Sequence, residues 1–459
     1  MAARVEKDTL GQVEVPEKAY FGAQTQRACD NFPVSGRVFP RSFIKALGLV
    51  KKNAAIVNER LGLLDRSLAE AIRNAADEVV EGKLDDQFIL DVFQTGSGTS
   101  TNMNANEVIA GRANEILVGK RGGKSPVHPN DHVNLGQSSN DVIPTVIHVA
   151  AAVAIQDKLI PALESLLEKL RTKSAEFRDV RKIGRTHLQD AVPITLGQEF
   201  GGYARQVELG LDRVRRAAWS LSELALGGTA VGNGLNTHPE FAKEVIENIS
   251  HQTGFFFREA QDHFEAQAAQ DAAVEASGEL KTLAVSLIKI ANDLRLLASG
   301  PRCGLGEISL PSLQPGSSIM PGKVNPVMPE MVIQIGAQVI GNDATITFCG
   351  QAAFFELNTM LPLIALNLLE SIEILASGAR LFAEKCVAGI TANREKCASF
   401  IERSLALATY LVPYTGYDKA SEISKEAFRT GKTIREVVRE RGVLTEEQLD
   451  EAFRRVEKE

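Results

Sequence analysis

The chain has 459 residues, of which 44% are hydrophobic and 24% charged, and a formal net charge of −7; these are the proportions of a globular protein too long for one ordinary core. The negative balance argues against nucleic acid and against acidic membrane surfaces as partners, since both reward clustered positive charge. It leaves room for a small anion, because lysines and helix N-termini can reverse the field inside a cleft.

The N-terminal text MAARVEKDTLGQVEVPEK lacks the apolar run of a signal peptide and carries acids that a transit peptide avoids. Alternation over residues 3 to 15 predicts a short hairpin. The chain has no stretch of about 18 uninterrupted apolar residues, so no membrane span is expected. The five cysteines, at 29, 303, 349, 386 and 397, include no Cys-x-x-Cys. They suit a reducing compartment, the cytoplasm, and give no framework for disulfides, zinc or an iron–sulfur cluster.

Polar, Gly-rich text first appears as TGSGTSTNMN at 95 to 104 and SPVHPNDHVNLGQSSND at 125 to 141. Ser97, Thr99, Ser138, Ser139 and Asn140 offer hydroxyl and amide donors with little formal charge, which suits a small dicarboxylate at a helix N-terminus. Each alone reads as an ordinary helix cap; it is the recurrence of such clusters in one chain that points to an anion. HPNDH at 128 to 132 invites a metal reading, but Pro129 disfavours a regular helix with both histidines on one face, and no further soft ligand stands nearby. A polar loop touching an anion is the better reading.

Three apolar seams at helical spacing come next. Val142, Val146, Val149 and Val153 continue, after a shift of phase, as Leu159, Leu163, Leu166 and Leu170. Leu196, Phe200, Tyr203, Val207, Leu211 and Val214 form the second, and Leu280, Leu283, Leu287, Ile290, Leu294 and Leu297 the third. They predict long helices that pack on one another or on copies from another chain. Between the first two seams lies GRTHLQDAVP at 184 to 193, read as a polar loop at a helix end. An isolated His187 is more often structural, yet imidazole moves protons near neutral pH. To work it needs a carboxylate to orient it, for which Glu330 is the candidate.

After the third seam comes PGSSIMPGKVNP, residues 315 to 326. It is no phosphate loop: five residues separate Gly316 from Gly322-Lys323, and Val324 stands where Ser or Thr is required. GKRGGKS at 119 to 125 fails on spacing too. Serine is a poor base unless its alkoxide is stabilised, so Ser317 would need Lys323 and aligned amides nearby. Gly316 and Gly322 would serve as hinges of a lid. On its own residues the segment reads equally well as a plain Gly-Pro connection with a solvated lysine. From about residue 354 the chain is helical again and ends in the charged text EEQLDEAFRRVEKE.

Taken together, TGSGTSTNMNANE, VHPNDHVN, GQSSND, GRTHLQDAVPITLGQE, GGTAVGNGLNTHP and GSSIMPGKVNP resemble the fumarase/aspartase superfamily, and within it the class II, iron-independent fumarases, from about residue 4 to the end. The resemblance implies an all-α subunit with a small N-terminal domain (residues 1–137), a central long-helix bundle (138–353) and a helical C-terminal domain (354–459). Four subunits would form a homotetramer whose active sites are each shared by three of them. The implied reaction is the reversible hydration of fumarate to (S)-malate, a citric acid cycle step, with no cofactor and no metal. By position Ser317 would be the base, forming an aci-carboxylate stabilised by Lys323 and Asn325 with Ser318 assisting. His187, paired with Glu330, would act on the departing hydroxyl through a water. Ser97, Thr99, Ser138, Ser139, Asn140 and Thr186 would hold the substrate carboxylates, and His128, Asn130 and Asp131 would form a second, peripheral anion site.

Relatives that eliminate ammonia from aspartate tend to carry Gln after the Arg-Thr pair and Ala in the Gly-rich segment, where this chain has His187 and Ser97. NPVMPE at 325 to 330 looks more lyase-like. Ser125 stands where many fumarases have arginine, and Val412 where an asparagine is more usual. Some members of the superfamily serve as bulk protein; loss of Ser317, Lys323, His187 or Glu330 would favour that reading, and all four are present.

Overall fold

The computed structural model describes residues 2–458 and is mainly α-helical, with short two-stranded pieces among the described residues. By contact the chain falls into two compact units, Met1–Pro161 with Gly210–Val285 and Ile335–Ser377, and Ala162–Leu209 with Ser286–Gln334 and Gly378–Glu459. Each unit is assembled from stretches far apart in sequence, a partition that crosses the sequential boundaries at 137 and 353.

The first unit opens on the expected hairpin, Ala3–Asp8 against Gly11–Pro16, with Asp8 opposite Gly11. Arg4 pins it by donating to the carbonyls of Pro16, Glu17, Ala19 and Phe21. The helices Arg41–Arg60 and Arg66–Val80 pack together, and Gly48 permits the approach, since a Cβ there would meet the side chains of Val79 and Val80 at 3.0 Å. The helix Thr99–Val118 is buried on nearly every face, including Asn102, Asn104, Asn106 and Glu107, so its polar side chains need partners inside the protein. Glu107 finds them in the N–H groups of Gly22, Gln24 and Thr25 and the Thr25 hydroxyl, which caps the helix Ala23–Asn31.

The three apolar seams lie in the core as their spacing requires: every position named in them is buried except Val153, which is half-buried. The shift of phase after Val153 has a local cause. Ile155–Leu159 is a single π-helical turn between the α-helices Ser139–Ala154 and Ile160–Glu176, and the extra residue in that turn rotates the second helix relative to the first. Two helical stretches, Ser139–Glu176 and Leu361–Gly389, are long and apolar enough for a bilayer, but their apolar windows are 67% and 72% buried within the protein, the environment of core helices.

In the second unit the segment read as a polar loop is instead a β-hairpin, Arg181–Thr186 against Gln189–Thr195, with a register shift between Ile183 and Arg185. Behind it Glu307, fully buried, accepts from Arg185 at 2.8 and 3.0 Å and lies 3.5 Å from Lys182. Burial pushes the neighbouring Glu199 carboxyl up, against the pull of Lys182. The C-terminal helices close over Leu407, Leu411, Ile423, Ile434, Val437, Val438, Leu449 and Phe453. Val412 packs against that cluster, so the valine at this position is accommodated within it.

Candidate active site

In the first unit the polar segments meet at two helix N-termini. Ser138 caps the helix Ser139–Ala154: its hydroxyl accepts from Asn140 N at 3.2 Å, and Asp141 Oδ1 accepts from Ser138 N at 2.9 Å. The other carboxylate oxygen of Asp141 accepts from Gly227 N and Thr229 N, both at 3.0 Å, and Asn140 Nδ2 donates to Ala230 O at 2.8 Å. One buried carboxylate thus ties GGTAV to the start of this helix. Its desolvation raises the Asp141 carboxyl, opposed by those N–H groups and by Lys51.

The helix Thr99–Val118 follows Gly98, which adopts φ +72° and gives no side-chain cap. Its first hydroxyl lies in a chain, Ser97 Oγ to Thr99 Oγ1 at 2.8 Å and Thr99 Oγ1 to Ser139 Oγ at 2.6 Å. A cavity of about 420 Å³ opens onto both helix starts, lined among others by Thr99, Asn102, Asn130, Gln137, Ser138 and Ser139. Hydroxyls, amides and two positive helix ends suit a small anion.

Sequence reasoning missed what supports this wall. Lys51 is fully buried, and Nζ donates to Asn134 Oδ1 at 2.9 Å and Gln137 Oε1 at 3.0 Å. Burial pulls its ammonium down to about 7, with the Asp141 charge acting the other way. Nothing local in a Lys-Lys pair within a helix announces this. The role of Asp141 was legible in Ser138-x-x-Asp141, the spacing of a capping box.

His128, Asn130 and Asp131 surround one π-helical turn, Pro129–Val133. His128 Nδ1 accepts from the backbone N–H of Asn130 and Asp131, each at 3.2 Å, so the ring caps the turn. Desolvation, the largest influence, lowers the His128 imidazole. Asn130 lines the cavity, and the Asp131 side chain is exposed. Among the described residues no group of three or more His, Cys, Asp or Glu is placed to hold a metal ion.

In the second unit His187 and Leu188 form the two-residue turn of the Arg181–Thr195 hairpin, with φ +55° and +60°. Two successive positive φ values make the turn that favours Asn-Gly, so a histidine and a leucine there are strained. Thr186 and His187 are exposed. The 316–325 segment closes on itself: Gly316 N donates to Lys323 O at 2.7 Å and Asn325 Nδ2 to Gly316 O at 2.8 Å. A Cβ on Gly316 would meet Asn325 N at 2.7 Å, so close packing requires that glycine, while Gly322, at φ +78°, supplies the left-handed bend. Ser317 Oγ accepts from Ile319 N at 3.2 Å and Met320 N at 2.9 Å. Ser318 and Lys323 are exposed, and Glu330 is half-buried in the first turn of the helix Val327–Gly350. No hydrogen bond or ion pair among the described residues joins His187 to Glu330 or Lys323 to Ser317.

Residues 11–341 match the family model described as lyase, and residues 407–456 that described as fumarase C C-terminus. The chain is 57% identical over 447 residues to the fumarate hydratase class II of Nitrosomonas europaea, covering 97% of each. It is 59% identical over 443 residues to that of Halobacterium salinarum, covering 96% of this chain and 94% of the other. A crystal structure of the class II fumarase from Schistosoma mansoni superposes with a TM-score of 0.96 at 41% identity, covering 98% of both chains.

Proposed function

The chain belongs to the class II fumarate hydratases, and we propose that it is a hydro-lyase that interconverts fumarate and (S)-malate through a serine base. The observation that carries the serine's role is the pair of backbone N–H groups on Ser317 Oγ. They leave the hydroxyl proton free to pass to solvent water at this exposed segment and stabilise the alkoxide that remains, as an oxyanion hole does. The alkoxide takes the proton from the malate carbon beside a carboxylate, and the C–H electron pair moves into that carboxylate as an aci-carboxylate. Lys323 and Asn325, with Ser318, stabilise the added charge. Collapse of the intermediate forms the double bond and breaks the C–O bond. His187, oriented by Glu330, passes a proton through a water to the leaving hydroxyl, which departs as water.

Ser97, Thr99, Ser138, Ser139, Asn140 and Thr186 take the two carboxylates, and no cofactor enters. The chain works as a homotetramer with each site shared among three subunits, a reading supported by the absence of side-chain partners for His187 and Glu330 among the described residues of their own chain. Sequence organisation into N-terminal, central and C-terminal domains is supported at its end by the separate core from Leu407 to Phe453. Five free cysteines support a reducing compartment such as the cytoplasm. His128, Asn130 and Asp131 form a second, peripheral anion site, a reading supported by Asn130 at the cavity wall.

The test is ultraviolet absorbance of fumarate formed from (S)-malate and, separately, from L-aspartate. Fumarate from malate alone is the expected result. Fumarate from aspartate alone would replace the hydratase by an ammonia-lyase, and silence from both would revert to a non-catalytic protein.

A further inference from the structure

Two of the residues that line the 420 Å³ cavity, Asn102 and Thr229, take no part in the proposed reaction. Asn102 Oδ1 and Thr229 Oγ1 are buried without a hydrogen-bond partner, in residues 2% and 4% exposed that line this cavity. Unpaired buried polar atoms are costly enough to call for a partner.

The direction of Asn102 is set by its neighbours. Asn134 Nδ2 donates to the backbone carbonyl of Gln137 at 3.0 Å, and a carbonyl can only accept. Asn134 Oδ1 therefore faces the other way and receives Lys51 Nζ at 2.9 Å, Asn102 Nδ2 at 3.2 Å and Asn106 Nδ2 at 3.1 Å. With Nδ2 turned toward Asn134, the unpartnered atom of Asn102 is its carbonyl oxygen, which can only accept. Thr229 is clamped at both backbone ends, its N–H on Asp141 and its carbonyl on Gln267 Nε2 at 2.9 Å. It is held at φ +54°, which β-branched residues avoid.

An ionised carboxylate offers only acceptors, so it is a poor match for Asn102 Oδ1; an O–H group is a good one. We propose that Asn102 and Thr229 form a hydroxyl pocket, holding the alcohol of a hydroxydicarboxylate or the water that replaces it, and so determine specificity for the hydrated substrate. The proposal rests on the dicarboxylate reading of the site.

The experiment compares kcat/KM for (S)-malate with the competitive inhibition constant of succinate, which has two carboxylates and no hydroxyl. Thr229→Val and Asn102→Leu are expected to lower kcat/KM for malate by about tenfold or more, as loss of a hydrogen bond to a substrate hydroxyl does. Succinate inhibition should stay within about twofold of wild type. Because the overall equilibrium is fixed, kcat/KM for fumarate must fall by the same factor. Thr229→Ser keeps the hydroxyl and should restore malate turnover, which also controls for folding. Parallel weakening of succinate, or unchanged malate kinetics in both variants, overturns the pocket. A wild-type protein that neither converts malate nor binds succinate overturns the dicarboxylate reading itself, and the pocket with it.

Discussion

The two groups of site residues are held in opposite ways. At the helix starts of the first unit the hydroxyls and amides are tied to one another and to the backbone: Ser97 to Thr99, Thr99 to Ser139, Asn140 and Asp141 to the 227–230 segment. In the second unit His187 and Lys323 are exposed and have no side-chain partners among the described residues, and the 316–325 segment is closed by its own backbone, with Ile319 84% exposed. Groups that bind a fixed anion gain from preorganisation, and groups that act on the reacting atoms, by moving a proton or by meeting the charge that develops, must be free to reach them. The difference in holding matches the difference in proposed work.

Substitutions test whether the two groups do different work. The largest effect is expected from Ser317→Ala, which should lower kcat for malate by about 10³-fold or more, in the range of a lost base and its stabilised charge, with an unchanged melting temperature. His187→Asn should cost about 10²-fold in kcat without loss of fold, because asparagine accepts a left-handed backbone; near-normal activity would remove the histidine from proton transfer.

Lys51→Met should act on stability and its pH dependence. The folded lysine titrates at about 7, below the ordinary 10.5. Between these values the unfolded chain holds a proton that the folded chain does not, so the lysine's contribution to stability rises with pH across that window and is flat below it. Denaturation at pH 6.5 and 9 should show wild type gaining on the order of 2 kcal/mol relative to Lys51→Met. The smallest effect is expected in the strained turn of the second unit. Leu188→Gly relieves a left-handed leucine and should add about 1 kcal/mol to unfolding stability, read by chemical denaturation, while any fall in kcat would tie the strained turn to catalysis.

Much of the scaffold was legible because it is periodic. Leu280 to Leu297 and Leu196 to Val214 are buried as their spacing requires, and the broken phase after Val153 marks a real π-helical turn. The Arg181–Thr195 hairpin was not legible. Its alternation is interrupted by the register shift at Gly184, and His187-Leu188 is no turn dipeptide, so two local signals were missing where the backbone is strained. In the site, the hydroxyl clusters could be read as donors because their residue types carry the chemistry. Lys51, Asn102, Asn134 and Thr229 could not, since each takes its meaning from partners distant in sequence, such as Asn134 for Lys51 and Asp141 for Thr229.

The π-helical turn at Ile155–Leu159 also sets how this chain tolerates insertions and deletions. A helix advances about 100° for each residue, so removing one residue from that turn would restore an ideal ladder of hydrogen bonds and yet swing Leu163, Leu166 and Leu170 away from the buried side. The same excision in an exposed loop would pass almost unnoticed. Here a locally better helix would be a worse protein, and the residue count of this segment is itself part of the message.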